Sequence, residues 1–268
     1  MGFDAKGKRV LVTGASSGIG AALAVAFAEA GATVGICARR EDRLAEVLER
    51  CRAHSPDSRM WVTDLSDLDV VDRLAADALA ELGGVDVLVN NAGIPKRRHV
   101  TKLDHDVVES TMRINYLSPV RLTLALLPHM LDRGSGYIVN VSSVAATLSS
   151  PGESAYDASK AALTAFSESM AIDLWETGIK VLVIYPGLVD TELFGLPDND
   201  PVQTDLVPIP VGELVEAVWA ALDAGAPQVY VPAWFQDIAV GKAGNLEGFL
   251  SGAADYLRTQ REQATGAG

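Results

Sequence analysis

Short runs that are apolar at nearly every position alternate along the chain with longer stretches whose apolar residues recur every three or four places. The first kind occupies residues 8–12, 33–37, 60–63, 86–89, 137–141, 180–185 and 229–231, and predicts strands. The second predicts helices over 18–30, 42–53, 67–82, 154–175 and 211–222. A further helical region over 104–132 is broken near Asn115 by Asn-Tyr-Leu-Ser-Pro119. Strands without a polar face are covered on both sides, as in a parallel sheet layered with helices. Alternating strands and helices joined by right-handed crossovers then predict an α/β fold, a doubly wound parallel sheet of the Rossmann type. Residues 1–268 read as one domain, with a covering lid at about 188–210 and a C-terminal extension at about 232–268. Ligands in such sheets bind beyond the carboxyl ends of the strands, so the residues just after each strand are where chemistry is expected.

Charge narrows the partners. With 22 Lys and Arg against 35 Asp and Glu, the formal net charge is -13. This argues against nucleic acid and disfavours anionic membrane surfaces, both of which need a basic footprint. No run approaches the ~18 apolar residues of a spanning helix, and the N-terminus lacks a signal-peptide pattern. Cys37 and Cys51 suggest no disulfide framework, and a cytoplasmic setting is expected. His54, His99, His105 and His129 show no metal-ligand spacing, so no metal is expected.

After the first strand comes Thr13-Gly14-Ala15-Ser16-Ser17-Gly18-Ile19-Gly20, leading straight into a helix. Glycines let backbone approach a pyrophosphate, and the helix N-terminus offers free N–H groups and positive potential. The second strand ends at Ala38, where sites for NAD usually carry a carboxylate for the ribose 2′-hydroxyl. Here Arg39 and Arg40 follow instead. Guanidinium suits a 2′-phosphate, whereas a cation at a helix start is otherwise unfavourable. NADP(H) is therefore the expected cofactor, ahead of NAD(H).

Tyr156 and Lys160 stand four apart on the predicted helix 154–175 and share a face. Ser142-Ser143 follow the fifth strand, and Asn90-Asn91-Ala92-Gly93 ends the fourth. Together with the glycine loop, Asn115 and Pro186-Gly187-Leu188-Val189-Asp190-Thr191, these residues resemble the short-chain dehydrogenase/reductase family, over about residues 6–191. The resemblance implies a catalytic set of Asn115, Ser143, Tyr156 and Lys160, with Ser142 the lesser candidate for the serine. It implies cofactor contacts from Gly14, Ser16, Ser17, Gly18, Ile19, Gly20, Asp64, Leu65, Asn91, Ala92, Gly93, Tyr156, Lys160, Pro186, Gly187, Val189 and Thr191, beside Arg39 and Arg40. One departure is Ser17, where many NADP-preferring members carry a basic residue.

The expected activity is an oxidoreductase that reduces a hydrophobic ketone to a secondary alcohol with NADP(H), or the reverse. A free tyrosine, with a pKa of about 10, needs help to act as base at neutral pH; Lys160 and the oxidised nicotinamide are expected to favour its phenolate. Ser143 is expected to hold the substrate oxygen, and Asn115 a water that links Lys160 to solvent. Leu193, Phe194, Leu196 and Val207 suggest an apolar lid, while Lys96-Arg97-Arg98 reads as a solvated basic run. The 234–257 tail fits packing on a second subunit, capping of the site or contact with a membrane surface. Family resemblance implies a homodimer or homotetramer through residues 115–133 and 154–175. Two rivals stand beside this reading: an NAD-dependent alcohol dehydrogenase on the same fold, and a non-catalytic NADP(H)-sensing protein.

Overall fold

The computed structural model describes residues 2–201 and 204–266, apart from the side chains of residues 194, 261 and 263–266. Seven strands form one parallel sheet in the order β3-β2-β1-β4-β5-β6-β7. They are β1 (Arg9–Thr13), β2 (Thr33–Ala38), β3 (Arg59–Val62), β4 (Val87–Asn90), β5 (Gly136–Val141), β6 (Ile179–Pro186) and β7 (Gln228–Val231). Each falls within two residues of its predicted run. The order reverses between β1 and β4, whose neighbours diverge to either side, so a crevice opens beyond Thr13 and Asn90.

Alternation along β1 explains the two helical layers. Val10 and Val12 point into the core beneath α1 (Gly18–Glu29), α2 (Glu41–Arg52) and α8 (Val211–Ala224), packing with Leu23, Phe27, Leu44 and Val218. Leu11 points the other way, to α3 (Leu68–Leu82) and α5 (Ser118–Arg133), among Leu74, Leu126 and Met130. The two layers bury β1 on both faces, which is why no polar residue interrupts it. On the second layer, α4 (His105–Met112) runs into a π-helical turn, Arg113–Leu117, before α5. The predicted break at Asn115 is therefore a local unwinding of one continuous helical path.

Short α6 (Ala145–Leu148) follows β5, and α7 (Ser154–Asp173) leads to β6. The C-terminal extension, left without assigned elements by its weak periodicity, forms α9 (Phe235–Gly244) and α10 (Leu246–Gly266). Both helices reach back toward the carboxyl edge of the sheet. Lys242 of α9 donates to Thr147 O and Ser149 Oγ, both at 2.7 Å. Tyr256 of α10 donates to Asp205 Oδ2 at 2.9 Å, and Leu257 borders the cavity described below. No described helix is long and apolar enough to cross a membrane, and no described cluster of His, Cys, Asp and Glu could hold a metal. Cys37 and Cys51 are buried and unbonded to each other.

Candidate active site

The crevice at the carboxyl edge is a cavity of about 910 Å³, at the upper end of the range for ligand pockets. Of the residues expected to bind cofactor or act in catalysis, all but Gly20 and Asn115 border this one space.

At its first end the glycine loop turns under positive φ at Gly14 (66°) and Gly18 (55°), which only glycine adopts cheaply. A Cβ on Gly14 would lie 2.7 Å from Ala92 Cα, so the missing side chain is what lets the loop meet the β4 turn. Thr13 joins the two: its hydroxyl accepts from the backbone N–H of Asn91 and of Ala92, each at 3.0 Å, and donates to Val89 O. The Asn91 amide donates to Thr13 O and Gly14 O. Gly20 packs beneath the loop, where a Cβ would overlap Gly14 O and Asn91. Ala38 is buried at the end of β2, with Asp64 and Leu65 at the adjacent rim after β3.

The two arginines part company. Arg39 is exposed at the rim. Arg40 lies over the glycine loop: its Nε and Nη2 reach Ser16 Oγ at 3.2 and 3.1 Å, and Nη2 reaches Ser17 Oγ at 2.6 Å. The unfavourable cation at the start of α2 has a partner in this structure, the Glu192 carboxylate at 2.9 Å, which also takes Arg43.

At the other end Ser143, Tyr156 and Lys160 face the same space. Ser143 accepts from Ala145 N at 3.1 Å and borders the cavity together with Tyr156. Ser142 turns away, donating to Lys160 O at 3.2 Å and pairing with Thr164 Oγ1 at 2.9 Å. Lys160 Nζ donates to Val141 O at 2.9 Å and stands 5.8 Å from the Tyr156 ring centre. Gly93 leaves room for it, since a Cβ there would sit 3.4 Å from Nζ and 3.2 Å from Asn115 Oδ1.

Two expectations need correction. Asn115 is fully buried behind Ile94, whose N–H donates to it at 2.8 Å and to whose carbonyl it donates at 3.0 Å, with Ser159 Oγ as a third partner. Its side chain thus braces the Ile94 backbone and does not line the cavity. The expected lysine effect on Tyr156 is also outweighed. Burial pushes the phenol well above its ordinary value; the Ser143 hydrogen bond opposes this, and the Glu153 and Asp157 carboxylates add to it. Burial lowers Lys160 to about 8. Desolvation disfavours charge on both groups at once, so Tyr156 in this state holds its proton.

The remaining wall is mostly apolar, with Val144, Leu148, Leu188, Leu193, Leu196, Leu206, Phe235 and Leu257. Leu193 and Leu196 match the expected lid. Val207 does not, being 84% exposed, and the Phe194 side chain lies outside the described residues. The basic run is not solvated either. Arg97 is buried with its Nε on Asp200 O, while Lys96 and Arg98 both pair with Asp198. Sequence reasoning missed Thr13 as the loop-to-turn clamp, Ser159 as the brace of Asn115, and the half-buried carboxyls of Glu153 and Asp157. Ser159 carried a usable signal, a small hydroxyl one place before Lys160; the others depend on contacts between distant segments.

Comparison with known proteins fixes the family. A profile described as short chain dehydrogenase matches residues 8–200. The chain belongs to the short-chain dehydrogenase family. Among its curated relatives is a fatty acyl-CoA reductase of Acinetobacter baylyi, 42% identical over 193 residues, 71% of this chain and 65% of that protein. The chain spans less than two thirds of the length of the curated relatives it matches. A short-chain dehydrogenase from Streptomyces avermitilis superposes with a TM-score of 0.80 at 34% identity, covering 94% of this chain and 97% of that one. Another from Burkholderia cenocepacia, solved in complex with NADP, gives 0.79 at 30%, covering 94% and 99%. This member of the dehydrogenase family accordingly carries the family's Rossmann fold.

Proposed function

We propose that this chain is an NADP(H)-dependent carbonyl reductase, or the corresponding alcohol dehydrogenase, acting on a hydrophobic ketone or secondary alcohol. The reading is carried by one observation: Ser143, Tyr156 and Lys160 border the same cavity as the glycine loop and Arg40. The donors present suit the cofactor. The α1 N-terminus and the Ser16 and Ser17 hydroxyls suit phosphate oxygens, Arg40 suits a 2′-phosphate, and no carboxylate follows β2 at Ala38. Structural relatives solved with NADP and NADPH support the same choice.

The cofactor, when bound, supplies or accepts the hydride. Everything else falls to the protein. Ser143 donates a hydrogen bond to the substrate oxygen, and Tyr156 gives that oxygen its proton as negative charge builds there. A neutral, buried phenol is the protonation state that reduction requires. Lys160 stands ready to hold ribose hydroxyls and to favour phenolate once the proton has left. Asn115 acts as a positioning residue, keeping the Ile94 backbone against the cavity. The apolar far wall and the resemblance to a fatty acyl-CoA reductase favour a substrate with a hydrocarbon portion. Exposed Leu117, Leu124, Ile172 and Trp175 on the π-turn, α5 and the α7 end support a homo-oligomer, and the free buried cysteines are consistent with a reducing, cytoplasmic setting.

A panel of apolar ketones tested with NADPH and NADH decides the matter. The purified protein should consume NADPH in preference, and Tyr156→Phe should cut turnover by roughly 10²–10⁴-fold. Retention of most activity by that variant would refute the acid/base assignment, and absence of turnover on every carbonyl would favour a sensing protein.

A further inference from the structure

Glu192 is the charged group that the proposed chemistry leaves over. It opens the 3-10 turn Glu192–Gly195, directly after Thr191, at the foot of the segment that covers the chamber. Its carboxylate bonds Arg40 Nη1 through one oxygen, at 2.9 Å, and Arg43 through the other. The same Arg40 reaches back to Ser16 and Ser17, so one guanidinium ties the glycine loop to the lid. Thr191 rests against the loop too, its methyl 3.1 Å from where a Gly18 Cβ would be. Hydrogen bonds from both arginines hold the Glu192 carboxyl below its usual range, so it is charged at neutral pH.

A carboxylate spanning two guanidiniums beside two serine hydroxyls is set where a phosphate monoester would find its donors. We infer that Glu192 is an internal stand-in for the cofactor's 2′-phosphate: it competes for Arg40 and Arg43, and so sets how strongly the 2′-phosphate contributes to binding. The inference rests on the NADP(H) reading above. The pairs are half-exposed, with side chains 40–50% accessible, and such pairs are weak. A phosphate carrying nearly two charges displaces the carboxylate readily, whereas a ribose 2′-hydroxyl has no charge with which to compete. Because Glu192 begins the lid turn, release of the carboxylate also frees the foot of the lid when the phosphorylated cofactor enters.

Calorimetric titration of the full chain with 2′,5′-ADP and with 5′-AMP tests this without turnover. Glu192→Gln should bind 2′,5′-ADP about three- to tenfold more tightly than wild type, with 5′-AMP changed less than twofold. Glu192→Ala should do the same, since the Gln oxygen can still accept from Arg40. In an Arg40→Ala background the gain should shrink sharply, as the competition has lost its principal site. Unchanged or weaker 2′,5′-ADP binding by both Glu192 variants would overturn the inference, as would weakened 5′-AMP binding, which would make Glu192 an acceptor for the ribose hydroxyl. If wild type failed to prefer 2′,5′-ADP and Arg40→Ala altered neither ligand, the NADP(H) reading itself would fall. A wild-type preference lost in Arg40→Ala, with no effect of Glu192, would sink this inference alone.

Discussion

Ser142 and Ser143 are neighbours in sequence but serve opposite sides of the β5 end. The hydroxyl of Ser142 is spent on α7, at Lys160 O and Thr164 Oγ1, while Ser143 borders the cavity with Tyr156. Alanine at the two positions should therefore have separable effects. Ser143→Ala should lower kcat about 10²-fold or more at nearly unchanged melting temperature. Ser142→Ala should keep turnover within a few-fold and lose about 1–2 kcal/mol of stability, because Thr164 is left without its partner. Steady-state kinetics beside urea denaturation measure both; the opposite pattern would exchange the roles of the two serines.

Asp157 makes stability fall with rising pH. Burial, with the Glu153 charge nearby, raises its pKa from 3.8 to about 8. Between those values the unfolded chain has released the proton that the folded chain retains, so stability declines from about pH 4 to about pH 8. Asp157→Asn removes the effect. Its advantage over wild type should be small at pH 4.5 and reach on the order of 2 kcal/mol at pH 8.5, after allowance for partial solvent access. Urea midpoints at the two pH values test it; a pH-independent gap would contradict the shift.

Asn115 supports the site from behind. Replacing it with Ala leaves the half-buried Ile94 N–H and carbonyl without their side-chain partner, at a cost of about 1–2 kcal/mol. Thermal denaturation should register that loss, together with a drop in kcat larger than any change in cofactor affinity.

Gly14 and Gly241 offer a matched comparison. Alanine at Gly14 must adopt φ of 66° and meet Ala92 Cα, so dinucleotide affinity should fall at least ~10-fold and stability by about 1–2 kcal/mol. Alanine at Gly241, inside α9 and facing open space, should stabilise by about 0.5–1 kcal/mol. Fluorescence titration and melting curves distinguish them.

Phe235 stacks on Trp234 and packs against Gly187. Phe235→Ala should raise KM for apolar ketones about tenfold while leaving the NADPH dissociation constant within twofold. A cofactor affinity that moved in step with KM would show that the ring supports the nicotinamide side of the cavity rather than the substrate side.

What the sequence made legible follows the range of the forces involved. β1, β2 and β4 declare themselves because burial on both faces keeps their interiors apolar, and β6 does so after Lys180. The glycine loop and the Tyr156/Lys160 spacing are equally local, and the break at Asn115 announces the π-turn. The basic run at 96–98 misled, since Asp198 and the Asp200 carbonyl, a hundred places on, are what neutralise and bury it. The Glu192 contact with Arg40 spans 152 residues and leaves no periodic trace. Helices α9 and α10 escaped because Gly241, Gly244 and Gly248 weaken the helical signal in an extension that packs little of its surface.

The matched family profile stops at residue 200, yet Phe235 and Leu257 help enclose the chamber from farther along the chain. Part of the chamber's apolar wall is thus written in polypeptide outside the shared profile. Drift in the trailing helices can reshape the mouth of the chamber while the residues inside the profile stay as they are.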